Sequence, residues 1–210
     1  IASRSGRFAN TEEGRAFNTA HPDNPKWHYV DLPLASKGYG TDKRFIAEND
    51  IVATQEKCID VLEGRSEFMN KHDALRYLVH LAGDVHQPLH AAIGFFRFDG
   101  EGRATLITDP DEAAANMKGG DSGGNKLLLE KNLPLHRYWD ENLVALNAKT
   151  EAGLAVKLRD RVAAFKPANA GAVRSWPAQW ATDSIGVSRE LYSELKFGKR
   201  FPRTGGYWTL

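Results

Sequence analysis
Sulfur contributes little to the chemistry open to this chain. Its 210 residues include one cysteine, Cys58, and two methionines. A lone cysteine excludes an intrachain disulfide and any thiolate-rich zinc site, so a metal here must be held by histidine and carboxylate. Charge of one sign is also lacking: 28 Lys and Arg stand against 27 Asp and Glu, a formal net charge of +1. Such a chain has no global field with which to draw in a polyanion. A nucleic-acid enzyme built from it must grip its substrate through metal ions and a local groove. No apolar run approaches the roughly 20 residues of a membrane-spanning helix, so no membrane partner is expected. Ile1 to Asn10 contain no apolar core of a signal peptide, although a processed leader would leave the same start. No repeat or shift of composition marks a boundary. With 41% hydrophobic and 26% charged residues, one domain over 1–210 is expected.

What is present is concentrated in one run, HLAGDVHQPLH, from His80 to His90. It lies at the end of a segment that reads as a helix over about 71–87, apolar nearly all round. Against that background Asp73, Arg76, His80, Asp84 and Gln87 recur at intervals of three and four. At 3.6 residues per turn they fall within about a quarter turn. A polar stripe on such a helix should be buried and satisfied by partners. Pro88 must break the helix and turn His90 away from the His80 face. A second His-x-x-x-Asp pair, His136 and Asp140, lies on a predicted helix over about 135–147. Residues four apart on a helix share a face, so each pair can close on one metal ion.

One such pair alone is more often an ordinary helix contact. Two pairs, with His90 beyond the proline and His28 on a separate segment, favour a multinuclear zinc site, and hydrolysis is the chemistry that suits it. His86 sits at a different angle and reads as packing or support. His21 and His72 show no partner pattern and read as solvent-exposed. Asp73 and Arg76 read as paired with each other.

The rest of the chain reads as a mainly α fold with long loops. Residues 1–40 look mostly irregular, with Trp27 to Pro33 as extended chain between Pro25 and Pro33. A helix is expected over about 45–63, stopped at Gly64. Phe95, Phe96 and Phe98, then Gly100 and Gly102, suggest a hairpin or flap within a long connection over 91–125. That connection closes on the glycine-rich turn Gly119 to Asn125, where backbone can approach a ligand closely. Leu127 to Leu129 suit a short strand. Further helices are expected at about 150–165 and 177–195, and 196–210 reads as coil.

Five pieces of this sequence resemble the zinc-dependent single-strand nucleases of the S1/P1 type, also called 3'-nucleotidase/nucleases. They are WHYVDLP at Trp27 to Pro33, ALRYLVHLAGDVHQPLH at Ala74 to His90, GGDSGGNKL at Gly119 to Leu127, NLPLHRYWD at Asn132 to Asp140, and WATDS at Trp180 to Ser184. They occur in the family's order and cover most of residues 25–192. The resemblance implies a helical fold of the phospholipase C and single-strand nuclease type, with zinc at the bottom of a cleft. It implies that His28, His80 and Asp84 belong to a first zinc, and that His90, His136 and Asp140 hold a second. Asp84 would bridge toward a third. Asp31 matches a carboxylate near the attacking water, and Asn125 a residue beside the scissile phosphate.

The implied substrates are single-stranded DNA, RNA and nucleotides. The family cleaves the strands to 5'-nucleotides and removes 3'-phosphate. The implied setting is secreted or periplasmic, and a monomer is expected. The aromatic residues Tyr29, Phe95, Phe96 and Phe98 are candidates for stacking on a base, with loop packing as the alternative for the phenylalanines.

The start departs from the family. Its amino-terminal Trp and a following His, which hold the third zinc, are absent, and an Asp of the first zinc is replaced within Arg4-Ser5-Gly6. Two zinc sites are therefore expected from this chain, and three if the missing segment is restored. Glu12, Glu13 and Asp23 are candidates to replace the lost Asp. Three rivals stay open at this point. One is a zinc phospholipase C-like enzyme. Another is a catalytically impaired, zinc-stabilised nucleic-acid-binding module. The third, a di-iron bundle, would want Glu-x-x-His pairs that the motif regions lack.

Overall fold
Two side-chain caps fix where the central helices begin. Asp50 accepts from the backbone N–H of Val52 and Ala53, both at 3.0 Å, and opens helix α2 over Ile51–Leu62. Asn70 accepts from Asp73 at 2.9 Å and opens α3 over Lys71–Val85. Each cap satisfies N–H groups that have no partner inside the helix. The cap explains why α2 starts at Ile51 rather than near residue 45: Lys43–Phe45 form only a separate 3-10 turn. Gly64 stops α2 at φ +78°, a conformation glycine adopts without strain.

The computed structural model describes residues 10–147, 150–164, 166, 168–200 and 207–209. Arg4-Ser5-Gly6 and the start of the chain lie outside the described residues. Within them the fold is mainly helical, as the sequence predicts. α2 packs along α3, and both meet the long helix over Trp176–Ser193. Leu81, Val85, Val52, Ile51 and Ile185 are fully or almost fully buried in one core with Trp27 and Tyr77. α3 is not apolar all round in its setting: Leu75 and Val79 stay 54% and 67% exposed on its outer side.

The amino-terminal stretch is more ordered than its composition suggests. Glu12–Ala20 form α1, capped by Thr11, and Asn24–His28 form a 3-10 turn. Extended chain is thus confined to the residues after His28. There Leu32–Pro33 (β1) pair in parallel with Ala92–Ile93 (β2). Beyond α3, Pro88–Ala91 make the short helix α4. The expected hairpin is present as Phe96–Phe98 (β3) against Ala104–Leu106 (β4). Pro110–Ala115 form α5, capped by Asp109.

The coil expected over 196–210 is corrected at two stretches, while 201–206 and 210 lie outside the described residues. Phe197–Arg200 (β6) and Tyr207–Thr209 (β7) are antiparallel strands, and β7 pairs in parallel with Leu127–Leu128 (β5). A partner 80 residues away in sequence supplies the order, and no local pattern announces it. Leu135–Arg137 (α6) and Leu143–Asn147 (α7) flank a π-helical turn over Tyr138–Asn142. Glu151–Ala164 form α8, and Trp176–Ser193 are α9.

Candidate metal centre
Three breaks in helical regularity aim the candidate ligands. The first is the end of α3. The helix stops at Val85, Gln87 caps α4 by accepting from Leu89 N–H at 2.6 Å, and Pro88 takes the first helical position. His90 is thereby turned off the His80 face, as Pro88 predicts. Buried hydroxyls of α9 brace the break: Ser184 donates to the Val85 carbonyl at 2.6 Å and Ser188 to that of Pro88 at 2.8 Å. The second is the 3-10 turn that ends at His28. The third is the π turn, where His136 and Asp140 stand four apart across a widened helix.

Two His-His-Asp trios result. In the first, His28 Nδ1 lies 2.8 Å from Asp84 Oδ2, and His80 Nε2 lies 3.2 Å from both. A tetrahedral zinc with bonds of about 2.0–2.2 Å places its ligands about 3.3–3.6 Å apart. Three potential donor atoms this close to one another suit a cation of that kind. The other ring nitrogen, His28 Nε2, is buried with no hydrogen bond among the described residues, so the polar contacts of this ring fall on Nδ1. Burial tends to raise the Asp84 carboxyl, but the hydrogen bonds with His28 and His80 outweigh it and hold the group well below the usual carboxylate range.

In the second trio, His136 Nε2 is 3.4 Å from Asp140 Oδ2, and the His90 and His136 rings lie 4.8 Å apart, centroid to centroid. Backbone carbonyls set both tautomers. His90 Nδ1 donates to the His28 carbonyl at 2.6 Å, and His136 Nδ1 donates to that of Gly123 at 2.7 Å. A carbonyl can only accept, so Nε2 of each ring is left as the free lone pair that a metal takes. Burial lowers the His90 pKa, which favours the neutral, ligating form. Gln87 Nε2 donates to Asp140 Oδ1 at 2.9 Å and orients the carboxylate.

All six residues of the two trios line one cavity of about 1170 Å³. His90 and His136 also line a second, of about 320 Å³, together with Tyr29, Asp31 and Asn125. The second trio therefore sits where two cavities adjoin, and the first lies within the larger. Burial pushes the Asp31 carboxyl up, with Lys126 partly offsetting it. Asn125 is exposed and gives one N–H to the Ser122 carbonyl at 2.8 Å, leaving its second N–H available.

Residues 12–202 match the profile of a known family, S1/P1 Nuclease. The chain belongs to the S1/P1 nuclease family. A relative, Endonuclease 3 of Arabidopsis thaliana, is 26% identical over 196 residues, covering 78% of this chain and 56% of that protein. The chain thus spans about half the length of the curated relative it matches.

Several sequence readings change in this S1/P1 family member. His21 is not solvent-exposed but half-buried among Phe17, Trp27 and Phe68. His72 is exposed, yet it lies within 3.9 Å of Glu13 and 3.7 Å of Asp73. Arg76 pairs with Glu13 at 2.9 Å, closer than its 3.9 Å to Asp73. Glu13 and Asp23, which bonds Asn49 and Trp27, are engaged away from the first trio. Phe95 and Phe96 are core residues, at 1% and 0% exposure, which leaves Tyr29 as the exposed aromatic of the smaller cavity. His86 is exposed and rests against Trp180. The orienting roles of Gln87 and the Gly123 carbonyl were not legible. Gln87 stood on the polar stripe, but its partner Asp140 is 53 residues away.

Proposed function
We propose that this chain is a zinc-dependent phosphodiesterase that hydrolyses single-stranded DNA and RNA to 5'-nucleotides, with 3'-nucleotidase activity at the same centre. The observation that carries the reading is the pair of His-His-Asp trios opening on one cavity, within a chain of the S1/P1 nuclease family. His28, His80 and Asp84 would hold one zinc and His90, His136 and Asp140 another. Zinc in such a site supplies Lewis acidity toward water and phosphoryl oxygen.

The chain's own groups supply the rest. Asp31, in the cavity shared with His90 and His136, orients the attacking water and accepts its proton on a carboxylate oxygen. The Asn125 Nδ2 proton not used by Ser122 donates to a phosphate oxygen. His28 and His136 side chains are only 13% and 19% exposed, so the reacting phosphate must descend to them. A flexible single strand can do this, and a stiff duplex cannot. The reading extends to a secreted or periplasmic setting and a monomeric enzyme.

The apolar residues Leu143, Leu154 and Leu158 in the larger cavity favour one other reading, a phospholipase C-like enzyme. Assays with added zinc on single-stranded DNA, the matching duplex and phosphatidylcholine vesicles separate the two. The proposal expects cleavage of the single strand, much slower cleavage of the duplex and none of the lipid, all abolished by chelator. Cleavage of lipid alone would overturn it. So would stoichiometric zinc with no turnover, the mark of a binding module.

A further inference from the structure
The larger cavity reaches beyond the two trios to α8. Leu154, Lys157, Leu158 and Arg161 are spaced i, i+3, i+4 and i+7, so they form one face of that helix, and this face lines the cavity. Val156, on the opposite side of α8, stays 60% exposed. A helix seated for burial alone would not turn two cations to a cavity while a valine faces solvent. Trp139, half-buried beside Asp140, presents an aromatic ring to the same space. At about 1170 Å³ the cavity exceeds the roughly 300–1,000 Å³ typical of a small-molecule site. It has room for more than one nucleotide. The chain as a whole carries a net charge of only +1, so cations placed locally must do what a global field does not.

We infer that the α8 face is the track for the strand outside the scissile phosphate: Lys157 and Arg161 bind backbone phosphates of a single-stranded oligonucleotide, and Trp139 stacks on one of its bases. The inference takes its ligand from the nuclease reading above. It adds the side chains that hold the strand away from the scissile phosphate, beyond the reach of a one- or two-nucleotide substrate. Cation and ring together give sequence-tolerant binding, because every nucleotide offers a phosphate and a π face.

The test is the double variant Lys157→Gln/Arg161→Gln, which keeps side-chain length and removes both charges. Binding of a fluorescent oligothymidine of about a dozen residues is measured from roughly 50 to 200 mM salt, with chelator and with zinc. Two lost phosphate contacts should flatten the slope of log K against log salt by about 1.4, at about 0.7 per single-strand contact. KM for cleavage of the oligomer should rise about tenfold, while kcat/KM for a dinucleotide stays within about twofold. An unchanged salt slope, or an equal loss on the dinucleotide, would overturn the inference. Binding of phosphatidylcholine vesicles without binding of oligothymidine by the wild type would do the same. The charge-preserving Lys157→Arg/Arg161→Lys variant must retain the wild-type slope, which guards against a fold defect. If the zinc-loaded wild type cleaves neither substrate, the nuclease reading fails. The salt slope in chelator still judges the track.

Discussion

The backbone carbonyl of His28 accepts the Nδ1 proton of His90 at 2.6 Å. One candidate ligand of the first trio thereby sets the ring orientation and tautomer of a ligand in the second. The two trios are not independent sites that happen to adjoin. The turn that presents His28 Nδ1 to Asp84 also turns its carbonyl to His90. Loss of order at the 3-10 turn over Asn24–His28 would disturb both at once.

Replacing His90 by Ala should reduce hydrolysis to background and lower bound zinc by one equivalent. The helical circular dichroism signal should be nearly unchanged. His90 lies in a four-residue helix, apart from the long helices that give most of that signal. Near-normal turnover in this variant would refute its role as a ligand.

Gln87 performs two tasks with one amide. Its oxygen caps α4, which carries His90, and its nitrogen holds Asp140. Gln87→Ala should weaken zinc binding or activity by about 10–100-fold, the usual effect of losing a group that orients a ligand. The lost cap should cost about 0.5–2 kcal/mol of stability. Zinc titration and thermal melting read the two effects separately, and an unaltered zinc affinity would remove Gln87 from the centre.

Much of the centre was legible because helical spacing is local. His80 and Asp84 meet for the reason their four-residue interval predicts, and Pro88 breaks the helix where expected, whereas His136 and Asp140 come together across a π turn instead of the regular helix their interval implies. The polar stripe on α3 does find partners: Asp73 bonds Asn70, Arg76 bonds Glu13, and Gln87 bonds Asp140. Those partners could not be named from sequence, since two of them come from other elements. The same limit hid β6 and β7, whose pairing with β5 is a long-range contact. It also hid α1, where a Thr11 cap and a buried Phe17 order a stretch that composition alone marks as irregular. The π turn between His136 and Asp140 has no sequence signature at all.

The broken turn after α3 depends on α9. Ser184 is 4% exposed and its hydroxyl gives the Val85 carbonyl a donor at 2.6 Å. Ser184→Ala leaves that buried acceptor without this partner, at a cost of about 1–3 kcal/mol. Chemical denaturation should show the loss. Stability equal to wild type would mean that water or a small shift replaces the hydroxyl.

Asp121 gives a pH signature of opposite sign to that of an ordinary paired carboxylate. It is fully buried in the glycine-rich turn, accepts from Tyr192 Oη at 2.5 Å and from Gly124 N–H at 3.1 Å, and so anchors the loop whose Gly123 carbonyl orients His136. Burial raises its carboxyl, and these hydrogen bonds only partly offset that, leaving it pushed up to about 6 from the ordinary 3.8. The folded state therefore holds the proton more tightly than the unfolded chain. The stabilisation is fully present below about 3.8 and is lost as pH rises through about 6, a change of about 3 kcal/mol. Urea unfolding of wild type and Asp121→Asn from about pH 4 to pH 7, with chelator in both, isolates this group. The difference in stability should move in favour of the Asn variant as pH rises across that window and level off above it. A difference that stays constant with pH would show that Asp121 is ionised in the fold throughout, with Tyr192 and the backbone N–H groups fully offsetting its burial.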